Sequence, residues 1–265
     1  MCKFFSMCSD GNGNPIYFDW ALRKKILDKE IEVESPDSHT SLAHYFGHKG
    51  LKEDKLNKYE YNPLTKVFTV DQINTTDDKS LIEHWVKGID FKTIVPHLNL
   101  YPIKNPLETK AKKVSKKDLL LLQAWIKVGD SVRDSVRDSV SASVGDSVWD
   151  SVWDSVGASV SASVGDSVGD SVWDSVRASV WYSVRASVWA YISSFIILDK
   201  WKYIDHEKGV NPFQSCIELY KKGLVPSFDG KLWRLHSNRG IVWTGKITNG
   251  EIYEEKAIPS NKSKR

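Results

Sequence analysis

A tetrapeptide array from Asp130 to Trp189 constrains this chain more than any other feature. Fifteen consecutive units read Asp/Ala-Ser-Val-x, from DSVR at the start to ASVW at the end, and Ala190-Tyr191-Ile192-Ser193 follows as a decayed copy. A fixed period of this kind has to be settled before local propensities are weighed. Ser and Val hold in all fifteen units, whereas the first position is Asp nine times, Ala five times and Tyr once. The fourth position is Trp five times, Arg four, Gly four and Ser two. No side-chain chemistry unites Trp, Arg, Gly and Ser, but a single base change from TGG reaches each. The array therefore reads as the expansion of a short DNA unit. Its variable positions are expected at the surface, and its Ser-Val pair in a structural role.

Two conformations compete. In an α-helix each four-residue step advances about 400°, so like positions drift by about 40° per unit and the Val stripe winds around a long helix. A supercoil could absorb a period of about 3.67, but a period of four lies well beyond it. Val, Ser, Asp and Gly are also weak helix formers. In a solenoid each unit would be one side of a square coil, with Val stacked inward, Ser at the corners and the fourth residue outward. Such a coil resembles the pentapeptide-repeat solenoids with one residue fewer per side. It departs from them because Asp cannot take a second inward position without an unpaired buried carboxylate. The expected fold is α+β, two small modules flanking a β-solenoid-like tetrapeptide array. The alternative is a long α-helical repeat, favoured by the helical lead-in Leu119–Trp125, which meets the array without a proline. Disorder fits least, because regular Val and five Trp supply apolar surface.

The flanks carry conventional signals. Residues 3–8 and 15–19 read as a hairpin around Asp10-Gly11-Asn12-Gly13, which supplies the positive φ angles of tight turns. Trp20–Lys29 is a short basic helix, and a second helix starts after Pro36 with Asp37 or Ser38 as cap and ends at Gly47 or Gly50. Lys58–Val70 alternates as a hairpin turning at Asn62-Pro63, and a helix follows around residues 78–88. Ile94–Pro102 is extended. Lys104–Lys117 is a lysine-rich linker ending in Ser115-Lys-Lys-Asp118, a loose capping box. Beyond the array, Phe195–Tyr203 is helix or strand, Asn211-Pro212 opens a helix closed by Gly223, and Leu232–His236 pairs with Ile241–Gly245. The tail from Glu254 is expected to fray. These signals divide the chain into an N-terminal module (1–103), linker and lead-in helix (104–129), array (130–193) and C-terminal module (194–265).

The net charge is +3, and because the array holds nine Asp against four Arg the basic excess lies in the flanks. Three cysteines, Cys2, Cys8 and Cys216, show no zinc-type pairing. No signal peptide opens the chain, and no apolar run approaches a membrane span. A cytoplasmic location with reduced thiols is expected, with no membrane association and no cofactor.

The opening MCKFFSMCSDGNGNPIYFDW, the DSVx array and the closing NPFQSCIELYKKGLVPSFDGKLWRLH together resemble uncharacterised repeat proteins of phage, prophage and gut metagenomes. The resemblance covers most of the chain. It implies a source, with host cytoplasm as the location if phage-encoded, and no activity.

Several residues are candidates for chemistry. Removal of Met1 would expose Cys2, whose α-amine could act as base for its own thiol, as in N-terminal-nucleophile amidohydrolases; a small residue opening a strand is the plainer reading. His44 and His48 stand at i, i+4 with zinc-compatible spacing, but no Glu lies between them, Gly47 weakens the helix, and exposed helix histidines are the favoured reading. No phosphate-binding glycine loop is present. The binding candidates are Trp149, Trp153, Trp173, Trp181 and Trp189 with Arg133, Arg137, Arg177 and Arg185, since Trp and Arg dominate interface hot spots. The plainer reading has Trp covering neighbouring apolar surface. The leading function is therefore a non-enzymatic interaction or scaffold protein with a protein partner. A Cys2 hydrolase and a DNA mimic or nucleic-acid-associated protein are the alternatives.

Overall fold

The computed structural model describes residues 5–47, 50–100, 105–110, 113–128, 132–144, 174–248 and 251–255. Its first strand, β1 (Phe5–Ser9), is buried at every position. The sequence FSMCS solves this double burial by size. Phe5 and Met7 point into the main core, while Cys8 joins a smaller cluster with Phe18, Leu42, Ala43 and Leu56. That smaller cluster lies under α1 (Trp20–Leu27) and α2 (His39–Phe46). Both helices start on side-chain caps, Asp19 accepting from Leu22 N and Ser38 from Ser41 N.

β2 (Pro15–Ile16), β3 (Asn57–Asn62) and β4 (Val67–Gln72) complete an antiparallel sheet of order β2-β1-β3-β4. The polar groups buried around it are tied in specific sets. The Arg23 guanidinium forms a two-pronged ion pair with Asp37, donates to Phe18 O at 2.9 Å and lies over the Phe5 ring. Asp78, at the head of α3 (Lys79–Gly88), accepts from Ser9 Oγ at 2.5 Å, Tyr59 OH at 2.7 Å, Gly13 N at 2.8 Å and Asn57 Nδ2 at 2.9 Å. Burial pushes this carboxyl up, yet its four donors outweigh burial and hold it below the usual carboxylate range.

α4 (Lys116–Ile126) opens on a complete capping box, with Ser115 N donating to Asp118 Oδ2 at 2.8 Å and Asp118 N to Ser115 Oγ at 3.4 Å. Asp thus fills the place where Glu is usual, and it also pairs with Lys222 at 2.7 Å.

The described parts of the array are helical, α5 (Val132–Val144) and α6 (Asp174–Ser193), so the solenoid expectation is overturned there. The drift argument against a helix fails for a physical reason. Across the units from Val132 to Val140 it amounts to about 80°, which still fits the breadth of one packed helix face. Weak propensity is overridden by tertiary burial, the usual source of helix stability in proteins.

The C-terminal sheet is an antiparallel meander, β5 (Val225–Phe228), β6 (Trp233–Ser237), β7 (Gly240–Thr248) and β8 (Glu251–Glu254). α6 and α7 (Gln214–Lys221) pack beside it. Pro226 sits in β5, which tolerates it as an edge strand. Gly245 is required in β7, because a Cβ there would lie 2.4 Å from Tyr253 O and 2.5 Å from the Trp243 ring. Phe195–Tyr203 forms no regular element, only the bridge Leu98↔Ile196. This bridge joins the end of the array to the N-terminal part, and one continuous core runs from Phe5 through α4, α5 and α6 to Trp243.

Candidate interaction surface

Period four gives each array position a fixed task within a short helix. Val132, Val136 and Val140 of α5 and Val184 and Val188 of α6 are all buried to 1% exposure or less. The preceding serine shares that face at three of these valines, where Ser135, Ser139 and Ser187 are buried, and Ser183 is half-buried. A small side chain there lets α5 and α6 pack against one another. Two array hydroxyls bond within their own helix, Ser143 donating to Ser139 O at 2.7 Å and Ser187 to Val184 O at 2.8 Å, whereas the buried Ser135 hydroxyl has no partner among the described residues.

These serines also stitch the array to the C-terminal part. Ser183 Oγ accepts from Phe228 N at 2.8 Å and donates to Phe228 O at 3.3 Å, so an array hydroxyl closes part of the free edge of β5. Ser187 Oγ lies 2.9 Å from the buried Tyr220 OH, and Ser139 Oγ accepts from Lys202 N at 2.9 Å. The Cys216 thiol, donating to Ser187 O at 3.7 Å, is pushed well up by burial and is not a reactive thiolate.

The variable positions face the other way. Arg133, Asp134, Arg137, Ala142 and Arg185 are exposed, as is Tyr182 at 74%. Asp138 is half-buried and accepts from Tyr203 OH at 2.7 Å. Two positions depart from this: Ala186 is half-buried against the core, and Trp189 is 8% exposed, packed into the core where the array ends. Trp189 cannot serve as a surface anchor. Its neighbours Ala190, Tyr191 and Ile192 are buried too, because the helix is enclosed all round at this end. Trp181 and Arg177 lie on α6. Trp149, Trp153 and Trp173 lie outside the described residues.

The chemical candidates are not brought together. Cys2 and His48 lie outside the described residues, and His44 is an exposed residue of α2. His39 has a structural position, its Nε2 3.0 Å from Tyr59 O and its Nδ1 3.6 Å from Asp71. Among the described residues no group of three His, Cys, Asp or Glu is placed to hold a metal. No helix among them is long and apolar enough to cross a membrane.

One pair escaped the sequence reading. Ser227 Oγ and His236 Nε2 stand 2.7 Å apart on β5 and β6, the spacing of a nucleophile and its base. Both residues are fully buried, and His236 Nδ1 has no orienting partner among the described residues. Burial, with a smaller contribution from the Arg234 charge, lowers the imidazole to about 4, so it is neutral near pH 7. A substrate cannot reach this pair, and its role is in the sheet. Cross-strand register, which puts residues 225 and 236 opposite one another, was the signal available; without β5 in the expected fold it could not be read.

No protein-family model, curated protein or solved structure matches the chain.

Proposed function

We propose that this protein is a non-enzymatic interaction module that presents the variable positions of the array to a protein partner. One observation carries this reading. Val132, Val136, Val140, Val184 and Val188 are buried with Ser135, Ser139 and Ser187, whereas the variable-position residues Arg133, Asp134, Arg137, Ala142, Tyr182 and Arg185 are exposed and Asp138 and Ala186 are half-buried. Sequence can then change on the outer face without disturbing the frame, which suits a surface for recognition. Arginine and aromatic residues are the side chains that most often anchor interfaces, and Arg133, Arg137, Tyr182 and Arg185 occupy that face.

Site-specific photo-crosslinking tests the proposal. A photoreactive phenylalanine analogue placed at Arg137 or Tyr182 should give the same discrete protein adduct in cells, and an analogue at exposed Lys92, far from the array in sequence, should not. Adducts of equal yield and identity at all three positions would overturn the proposal.

A further inference from the structure

The two sides of α4 differ in kind. At about 100° per residue, Asp118, Leu122 and Trp125 fall on one side, and all are buried. Lys116, Lys117, Leu120 and Ala124, with Lys127 just past the last turn, fall within about 100° of one another on the opposite side, and all are exposed. Leu120 stands near the middle of this outer side and is 51% exposed.

The charge around it is almost all of one sign. Lys110 and Lys113 are exposed in the segment that leads into the helix. Of the two acids in residues 105–128, Asp118 is buried and paired with Lys222, and Glu108 is exposed. Several other exposed lysines lie against carboxylates, Lys24 against Asp28, Lys87 against Glu83, Lys208 against Asp199 and Lys221 against Glu218. Lys110, Lys113, Lys116, Lys117 and Lys127 have no such partner among the described residues. Unneutralised ammonium groups therefore gather around one exposed leucine.

Nucleic acids and anionic lipid layers both attract such charge. Leu120 decides between them. A phosphodiester backbone gives an alkyl side chain no partner, and the outer side of α4 has no Arg or aromatic ring to read or stack a base. In a lipid headgroup layer the leucine reaches the acyl boundary, while the lysine stems lie along the surface and their ammonium groups meet the phosphates. With 11 residues α4 is too short to cross a bilayer, so the contact runs along its side.

We propose that the outer side of α4 docks on an anionic lipid surface, with Leu120 inserted at the headgroup boundary and Lys110, Lys113, Lys116, Lys117 and Lys127 on the lipid phosphates. The inference does not rest on a protein partner for the array, since none of these residues belongs to it.

The test sediments the full chain with vesicles of phosphatidylcholine alone and with vesicles of equimolar phosphatidylcholine and phosphatidylglycerol. The chain should bind the anionic vesicles, lose that binding as salt is raised, and not bind the neutral ones. Lys116→Ala, Lys117→Ala and Lys127→Ala combined should keep the melting temperature and weaken binding to the anionic vesicles about a hundredfold. Lys52→Ala, Lys55→Ala and Lys92→Ala combined, an equal charge change at exposed positions elsewhere, should weaken it no more than about threefold. Leu120→Ser, which leaves the charge unchanged, should weaken it about tenfold. Absent binding to anionic vesicles, equal weakening by the two lysine sets, or no effect of Leu120→Ser would each overturn the proposal. A DNA duplex that binds through the α4 lysines while the anionic vesicles stay unbound would assign this side to nucleic acid and overturn it too.

Discussion

The N-terminal sheet and the array helices bury polar groups in opposite ways. Around the sheet the buried groups are charged and their partners are distant in sequence: Arg23 with Asp37, and Asp78 with donors on Ser9, Gly13, Asn57 and Tyr59. In the array the buried groups are hydroxyls, and Ser143 and Ser187 return their bonds to carbonyls three or four residues back. The first arrangement is unique to its residues. The second needs only a small hydroxyl side chain, so it does not depend on what occupies the outer positions. The difference teaches that a repeat can diversify its surface when its inner polar groups are small hydroxyls, which bond carbonyls of their own helix at Ser143 and Ser187 and neighbouring backbone at Ser139 and Ser183.

Breaking the charged arrangement should have the largest effect. Asp37→Ala leaves the guanidinium of Arg23, 2% exposed, without its counter-ion. Denaturant unfolding should show a loss of about 3–5 kcal/mol, as for other buried pairs deprived of one partner. A loss within that of ordinary surface substitutions would erase the contrast between the two regions.

The C-terminal sheet offers an intermediate case, a buried neutral imidazole. Because the folded-state value of His236 is lowered from 6.5 to about 4, the unfolded chain binds the extra proton first as the solution is acidified. The stability contributed by its neutral form is fully present above about pH 6.5. It should fall by about 3 kcal/mol as the pH drops from there to about 4. Urea midpoints measured across this window should show that fall, and His236→Gln should flatten it. The carboxylates held low, Asp78 and Asp229, act in a more acidic window, since their stabilisation is lost only as the pH drops below the ordinary carboxylate value.

The smallest effects separate the two sides of an array helix. Val136→Ala removes apolar volume from a position of 0% exposure and should cost about 2 kcal/mol. Arg137→Ala, its exposed neighbour, should change stability by no more than about 0.5 kcal/mol. Equal losses in thermal unfolding would mean that the outer positions are structural after all.

Much of this was legible in the residues because it depends on local chemistry. Ser38 and Ser115 cap the helices that follow them, and Asn62-Pro63 falls at the turn between β3 and β4. Within the array, strict conservation of Ser and Val against variation at the other two positions separated the buried side from the outer one. Trp189 broke that pattern because the end of α6 is enclosed by the core, a fact about neighbours that lie far away in sequence. β5 and β8 were missed for related reasons: Pro226 argues against a strand until its edge position is known, and Glu251–Glu254, which runs into the tail expected from Glu254, shows its pairing only once β7 is seen to extend to Thr248.

The amino-acid sequence by itself determined the phase of the array, the caps and turns of the flanks, and which two positions of each unit would be free to vary. Those properties follow from side-chain size, hydrogen-bonding capacity and backbone preference over a few residues. Tertiary structure alone decided between coil and helix. Val and Ser are compatible with either, and the balance was tipped by surfaces the repeat does not contain, namely the edge of β5 at Phe228, the phenol of Tyr220 and the loop at Lys202. It also placed Ser227 beside His236 and buried the indole N–H of Trp201, because only packing brings such residues together and removes them from water.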